Sequence, residues 1–171
     1  MSSGGDDGFE EYAAARWCHL VHAGVLLGCT PHEAEDLAQA TLLRCYTAWT
    51  RVQRAENRDA YVTRVLVNGL RASRRRRWWG ERPMSRLPDQ PADDDHATAL
   101  DGTDAVERAL GRLPRGQREV VVLRFWSHLS VAETADALGV APGTVKSRLS
   151  RALAALADDT DIHDIAPGRH P

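Results

Sequence analysis

The chain has 171 residues, of which 43% are hydrophobic and 27% are charged, so it can form one ordinary domain or two small ones. No stretch approaches the roughly 20 apolar residues of a membrane-spanning helix, and the N-terminus is acidic and Gly/Ser-rich rather than a basic leader. Three cysteines without an export signal favour reduced thiols over a disulfide framework. These features predict a cytoplasmic protein that does not insert into membranes.

Charge is unevenly distributed along the chain, although the net charge is only −2. Residues 1–87 and 106–157 carry an excess of basic side chains, whereas residues 88–105 contain six Asp and no base, and the tail 158–171 is again acidic. Two basic blocks separated by an acidic segment are typical of two modules that touch a polyanion. The prolines and acidic run of 88–105 predict a flexible linker that buries nothing.

Apolar residues recur at spacings of three and four, which predicts an all-α fold made of two small helical domains. Thr30, Pro31 and Glu33 form a capping box with a proline at the first helical position, so a helix is predicted to begin there. The side of this helix that faces away from its apolar residues carries Asp36, Gln39, Ala40, Leu43 and Thr47. An exposed leucine among such residues is more typical of a docking surface than of a solvated face.

A second long helix is predicted from about residue 58 to residue 79. Its apolar face consists of Val62, Val65, Leu66, Gly69 and Leu70. Its other face carries a line of polar side chains, namely Arg64, Asn68, Arg71 and Arg75. The line continues into four consecutive arginines, 74–77, followed by Trp78 and Trp79. Adjacent arginines repel one another unless an anion neutralises them, and the tryptophans offer stacking surfaces, so the pattern favours nucleic acid over a merely solvated helix end.

Residues 106–157 contain the most informative pattern. Amphipathic helices are predicted at 104–112 and 115–126, and a second capping box, Ser130 with Glu133, opens a short helix. Gly139 can adopt the positive φ of a sharp turn, and a further helix is predicted to begin near Thr144. A short helix, a Gly-containing turn and a second helix form the helix-turn-helix motif, whose second helix enters the major groove of DNA.

The second helix of this motif has two clearly different sides. Its predicted core side carries Val145, Leu149, Ala152, Leu153 and Leu156. Its outward side carries only hydroxyl and cationic side chains, which contact base edges and phosphates. We therefore expect these residues to bind DNA, rather than to form the exposed side of an ordinary helical bundle: Thr144, Lys146, Ser147, Arg148, Ser150 and Arg151.

Four features follow one another along the chain: the motif AEDLAQ at 34–39, the arginine-rich helix 64–77, the Pro/Asp linker, and Leu113-Pro114 leading to VAPGTVKSR at 140–148. Together they resemble bacterial sigma factors of the extracytoplasmic-function type. The resemblance covers about residues 10–157. It implies a minimal two-domain sigma factor: a region 2-like domain at 1–87, a linker at 88–105, a region 4-like helix-turn-helix domain at 106–157 and an acidic tail at 158–171.

The resemblance also implies partners and roles. The first module would bind the clamp coiled coil of the largest RNA polymerase subunit through Asp36, Leu37, Gln39, Leu43 and Arg44. The loop 51–59 and the following helix would capture the melted −10 strand through Arg64, Asn68, Arg71, Arg74 and Arg75. The second module would read the −35 duplex and contact the flap region, and the family admits an anti-sigma protein as a further partner. Ala40 departs from the family, which often has Glu there, as does Ala60-Tyr61, where a Trp-containing pattern is more usual.

Other functions are less well supported by the sequence. Cys18, His22, Cys29 and His32 lie close together, but their spacing is not a common zinc pattern. No nucleophile elbow, phosphate-binding loop or metalloprotease motif is present, so we expect no catalytic residue, no metal and no cofactor. A helix-turn-helix repressor or response-regulator output domain would explain 106–157 alone. An adaptor that binds only proteins would leave the arginine pattern unexplained.

Overall fold

The computed structural model describes residues 8–80 and 101–158. Most of the predicted linker and of the acidic tail, and the side chains of Arg77, Trp78 and Trp79, lie outside the described part. The described ranges contain helices and no strand, which confirms the all-α prediction. In chain order the helices are α1 Phe9–Leu26, α2 Pro31–Thr47, α3 Trp49–Gln53, α4 Arg58–Gly80, α5 Asp101–Arg112, α6 Arg115–Val121, α7 Val131–Leu138 and α8 Pro142–Ala157, with a π-helical turn, Val122–Trp126, directly after α6.

The first module is built on α2, which packs against α1 on one side and α4 on the other. The capping box is formed as predicted, because the Glu33 amide donates to Thr30 Oγ1 and the Thr30 amide donates to Glu33 Oε2. A Cβ atom on Gly24 would lie 2.9 Å from Ala34 Cβ, so α1 and α2 approach very closely there. These contacts leave the polar side of α2 in solvent.

The predicted loop 51–59 is shorter than expected. Residues up to Gln53 belong to α3, and α4 begins at Arg58, so only residues 54–57 connect two helices. Trp49 explains the difference, since its buried ring packs against Phe9 and Tyr12 and anchors α3 to α1. Asn57 caps α4, because its Oδ1 accepts a hydrogen bond of 3.0 Å from the Ala60 amide.

The second module contains the predicted helix-turn-helix as α7 and α8. Ser130 and Glu133 cap α7 reciprocally, and Gly139 ends it in the left-handed conformation with φ +62°. Helix α8 begins at Pro142, slightly before the predicted start near Thr144. Proline explains the earlier start, because its ring fixes φ at the value of a helix. The backbone N–H donor that proline lacks has no partner within the helix at the first helical position.

The predicted helix 115–126 is not one regular α-helix. After Val121 the backbone widens, and the Ser127 amide donates to the carbonyl oxygen of Val122, five residues earlier. A π-helical turn accommodates one extra residue and thereby shifts the faces of the side chains that follow it. Trp126, on this turn, lies against the first module.

The two modules are in contact, which the sequence analysis did not predict. Buried hydrophobic residues form one cluster that includes Leu27 and Val67 of the first module and Leu123 and Leu138 of the second. Helix α4 packs on α7, and α1 contacts α5 and the π-helical turn. The position of the functional surfaces therefore depends on both modules together.

Gly139 provides a test of the turn. An added Cβ would meet no atom within 4 Å at Gly139 or at Gly143, but only Gly139 of the two has a positive φ. We expect Gly139→Ala to lower the free energy of unfolding by about 1 to 2 kcal/mol, the cost of left-handed backbone for an L-residue. Chemical denaturation measures it. The matched control Gly143→Ala, within α8, should leave stability unchanged or slightly raised; equal losses in both variants would contradict the assignment.

Candidate nucleic-acid and polymerase interfaces

The outward side of α8 is a polar surface held in place by two buried residues. Val145 and Ala152 are fully buried and fix the rotation of the helix. Lys146, Ser147, Ser150 and Arg151 are exposed, whereas Thr144 and Arg148 are half-buried. This side therefore presents hydroxyls and cations to solvent, as expected for a helix that enters a DNA groove.

Leu153 was predicted in the core of the second module, and this prediction was wrong. Its side chain is 43% exposed and lines an apolar depression between α5, the π-helical turn and α8. The depression has Val106, Phe125 and Leu156 among its lining residues. Residue 153 falls at the edge of the apolar face of α8, and the neighbouring helices do not close over it.

The polar face of α4 is divided into an open part and a covered part. Arg64, Asn68 and Arg75 are exposed, but Arg71 and Arg74 are half-buried. Arg71 donates to the Leu138 carbonyl oxygen at 2.5 Å and to Glu119 Oε2 at 3.0 Å, both in the second module. Arg74 donates to the Leu27 carbonyl oxygen at 2.7 Å, and burial lowers its pKa. Two of the five predicted −10 residues, Arg71 and Arg74, are therefore engaged in hydrogen bonds within the protein.

A cleft separates the start of α4 from α7. It is lined on one side by Asn57, Tyr61 and Arg64 and on the other by Glu133 and Asp136, and its volume is about 680 Å³. Asn57 Nδ2 donates to Glu133 Oε1 across the cleft at 2.6 Å. The pKa of Glu133 lies below its usual range, chiefly because the Ser130 amide donates to its carboxylate.

The predicted polymerase surface lies on the solvent side of α2. Asp36, Gln39 and Arg44 are exposed, and Leu43 is 63% exposed. Leu37 is the exception, because it is half-buried and packs against the hydrophobic cluster. A Cβ on Gly69 of α4 would lie 3.3 Å from both Leu37 Cδ1 and Arg44 Nη1, so these side chains lie directly on α4.

The histidines and cysteines near the end of α1 do not converge. Within residues 8–80 and 101–158, no three His, Cys, Asp or Glu side chains are arranged to hold a metal ion. His22 stacks on Trp126 with ring centroids 4.4 Å apart, and burial raises the pKa of the Cys45 thiol to about 11. No helix of the described ranges is long and apolar enough to span a membrane.

Sequence reasoning missed two residues that link the modules. Glu119 has a side chain only 4% exposed, and both of its oxygens accept hydrogen bonds from arginines. The available signal was a carboxylate directly before the apolar run that begins at Val120, since buried acids are rarely unpaired. Trp126 donates from Nε1 to the His19 carbonyl oxygen at 3.2 Å, and only the tertiary structure shows this contact.

Glu133 predicts an acid-dependent stability. Because its pKa is lower in the folded chain, it stabilises the fold above its ordinary titration range, and this contribution is lost as the pH falls below about 5. We expect Glu133→Gln to be less stable than wild type at neutral pH, with the two denaturation midpoints converging as the pH falls. Glu10→Gln, on the exposed start of α1, should follow the wild-type profile. A constant difference across the pH range would show that the carboxylate charge is not responsible.

Comparison with known proteins shows the family to which the chain belongs. The model for sigma-70 region 2 matches residues 19–80, and the model for sigma-70 region 4 matches residues 103–156. The chain is 38% identical over 162 residues to the RNA polymerase sigma-E factor of Streptomyces coelicolor, covering 92% of this chain and 88% of the relative. It is 32% identical over 156 residues to the ECF RNA polymerase sigma factor SigL of Mycobacterium tuberculosis, covering 86% and 84%.

A solved structure shows the same arrangement of helices. The sigma factor RpoE of Bartonella quintana, crystallised with the anti-sigma factor NepR, superimposes with a TM-score of 0.70 at 27% identity, over 89% of this chain and 96% of that one. Region 2 therefore corresponds to the module of α1 to α4, and region 4 to the module with the helix-turn-helix. The chain belongs to the sigma-70 family, as a two-domain sigma factor of the ECF type.

Proposed function

We propose that this sigma factor divides promoter recognition between its two modules, with α8 on the −35 duplex and α4 on the melted −10 strand. As a sigma factor the chain binds core RNA polymerase and directs initiation of transcription to particular promoters. The observation that carries the division is that each module has one polar, cationic helix face. We propose modules at 1–87 and 106–157, an acidic linker at 88–105 and a tail at 158–171.

The −35 assignment is supported by the geometry of α8. A rigid helix with buried Val145 and Ala152 presents Lys146, Ser147, Ser150 and Arg151 on one exposed side. Lys and Arg can bond guanine in the major groove, whereas hydroxyls reach phosphates or bases. Thr144 and Arg148 flank this surface and would contact the DNA backbone.

The −10 assignment is supported by the long cationic face of α4 and the short connection before it. Melted DNA is bound by a basic groove that holds its unpaired bases. Duplex DNA is instead read by a helix that fits its major groove. Arg64, Asn68 and Arg75 are free to serve such a groove. Arg71 would join them only after the second module releases it, whereas Arg74 is held by Leu27 of its own module.

The polymerase assignment is supported by the exposed side of α2. Asp36, Gln39, Leu43 and Arg44 combine charge with an apolar side chain that solvent does not favour. Leu37 would support this surface from beneath, because it is half-buried. The flap region would be contacted by the second module.

The proposed activity requires no chemistry by the chain itself. Sigma factors recognise DNA and leave RNA synthesis to the polymerase, so we propose that this chain is not an enzyme and needs no cofactor. It would act in the cytoplasm, where its relatives act on polymerase. An anti-sigma protein is a proposed further partner, because the similar Bartonella protein was crystallised with one.

Run-off transcription with core polymerase tests the function, and Asp36 tests the polymerase surface. Purified chain should direct core enzyme to specific start sites on genomic promoter fragments.

Asp36→Arg should reduce binding to core polymerase at least tenfold, because a reversed charge at the interface adds repulsion to the lost contact. A pull-down with core enzyme measures it.

The control for Asp36 is Glu10→Arg, which makes the same charge reversal on the exposed start of α1. It should bind core polymerase as wild type does. Circular dichroism should show both variants folded, since among the described residues Asp36 pairs with an exposed partner, His32, at 3.8 Å. Unchanged binding by Asp36→Arg would remove α2 from the polymerase interface, and absence of any specific start site would remove the function.

Lys146 and Arg151 test the −35 surface. We expect Lys146→Ala or Arg151→Ala to weaken −35 recognition by about 1 to 3 kcal/mol where the side chain contacts a base, with relaxed preference at that base pair. Binding of the assembled holoenzyme to a mapped promoter and to its −35 variants measures both effects. Arg108→Ala removes a charge from α5 of the same module and should not change base preference; equal effects of all three would indicate a general charge effect.

A further inference from the structure

A second cleft, between α4 on one side and α6 and α8 on the other, is lined mostly by arginines. Its volume is about 680 Å³, within the range of small-molecule sites, roughly 300 to 1,000 Å³. The arginines that line it are Arg71, Arg74, Arg75, Arg115 and Arg148. Glu119 is the one carboxylate among its described lining residues, so these residues have an excess of four positive charges.

Glu119 is already engaged on both of its oxygens. Its Oε2 accepts a hydrogen bond from Arg71 at 3.0 Å, and its Oε1 accepts one from Arg115 at 2.9 Å. Arg75 and Arg148 form no ion pair with any residue of 8–80 or 101–158. The cleft therefore offers two unpaired guanidinium groups to a ligand, one from each module.

Arg74 adds a donor that the described residues do not use. Its Nη2 donates to the Leu27 carbonyl oxygen at 2.7 Å, whereas its Nη1 is buried and has no hydrogen-bond partner among them. A buried donor without a partner is costly, and more so on a charged group. Burial lowers the pKa of Arg74, and the charge of Arg115 lowers it further. An anion bound in the cleft would offset both effects.

Phosphate is the anion that suits these side chains best. A guanidinium group can form two parallel hydrogen bonds with a phosphate, which its planar shape favours. One phosphate monoester carries about −1.5 to −2 charge, so an excess of four positive charges matches two or three linked phosphates. Leu138 and Val140 also line the cleft, and apolar surroundings strengthen contacts between charges.

We propose that this cleft binds a small polyphosphate anion through Arg75 and Arg148, with Arg74 as a further donor. The arginines converge on one cleft of small-molecule size, whereas cationic side chains that follow a nucleic acid strand line a groove along it. Inorganic polyphosphate and the phosphate chain of a nucleotide share the required chemistry. Arg75 and Arg148 also belong to the proposed DNA-binding sets, so a bound polyphosphate would compete with promoter DNA for them.

Titration calorimetry of the full chain tests the site with sodium tripolyphosphate and with ATP, without divalent cations and at constant ionic strength. Tripolyphosphate should bind one per chain and about tenfold more tightly than sulfate. It should also raise the midpoint of thermal unfolding, because a ligand that binds only the folded chain stabilises it. ATP binding as tight as that of tripolyphosphate would assign the site to a nucleotide, and weaker binding of ATP would assign it to inorganic polyphosphate.

Variants of the two unpaired arginines locate the site. Arg75→Gln and Arg148→Gln should each weaken tripolyphosphate binding about tenfold, since each removes a charged donor pair. Arg148→Lys keeps the charge but not the planar group, and should weaken binding severalfold. The matched control is Arg76→Gln, which removes the same charge from the next residue of α4. Arg76 lines a different depression, so this variant should bind as wild type does.

Three results would overturn the inference. The first is tripolyphosphate binding no tighter than that of sulfate, and the second is an equal loss in Arg75→Gln and Arg76→Gln. The third is unchanged tripolyphosphate affinity in either cleft variant; if the variant also binds a short single-stranded oligonucleotide less tightly, that arginine serves a DNA strand instead. Failure of the proposed function is distinguishable, because wild-type chain would then give no specific run-off transcript, whichever anion it binds.

Discussion

A buried carboxylate between two arginines is the interaction on which the arrangement of this molecule depends. Glu119 accepts from Arg71 of the first module and from Arg115 of its own helix, and its side chain is almost fully removed from solvent. A charge in such a place is tolerated only when it is paired and fully hydrogen-bonded. Glu119 satisfies this condition only when the two modules are in contact.

Arginines of both modules line the cleft between them, which is unusual for like charges. Bringing these guanidinium groups together without an anion costs electrostatic energy. Glu119 offsets part of that cost, because it is the one carboxylate among the described residues that line this cleft. In this arrangement Arg71 and Arg74 of α4 are engaged by protein, whereas Arg64, Asn68 and Arg75 of the same helix stay in solvent.

Local signals in the sequence explain how the helices that carry these surfaces are positioned. Two capping boxes set the starts of α2 and α7, and Gly139 sets the turn before α8. Burial of Val145 and Ala152 then fixes which side of α8 faces outward. Because these signals act over three or four residues, they operate in the same way whether the modules are together or apart.

The sequence by itself determined the all-α class, the capping boxes, the helix-turn-helix and the polar faces of α2, α4 and α8. These features follow from hydrogen bonds and periodicities within a single helix or turn, which residue order encodes directly. Only the tertiary structure decided that Arg71 and Arg74 are engaged, that Leu153 is exposed and that Trp126 lies on His22. Those outcomes depend on which faces of distant helices meet, and no local pattern specifies the partner of a face across a linker.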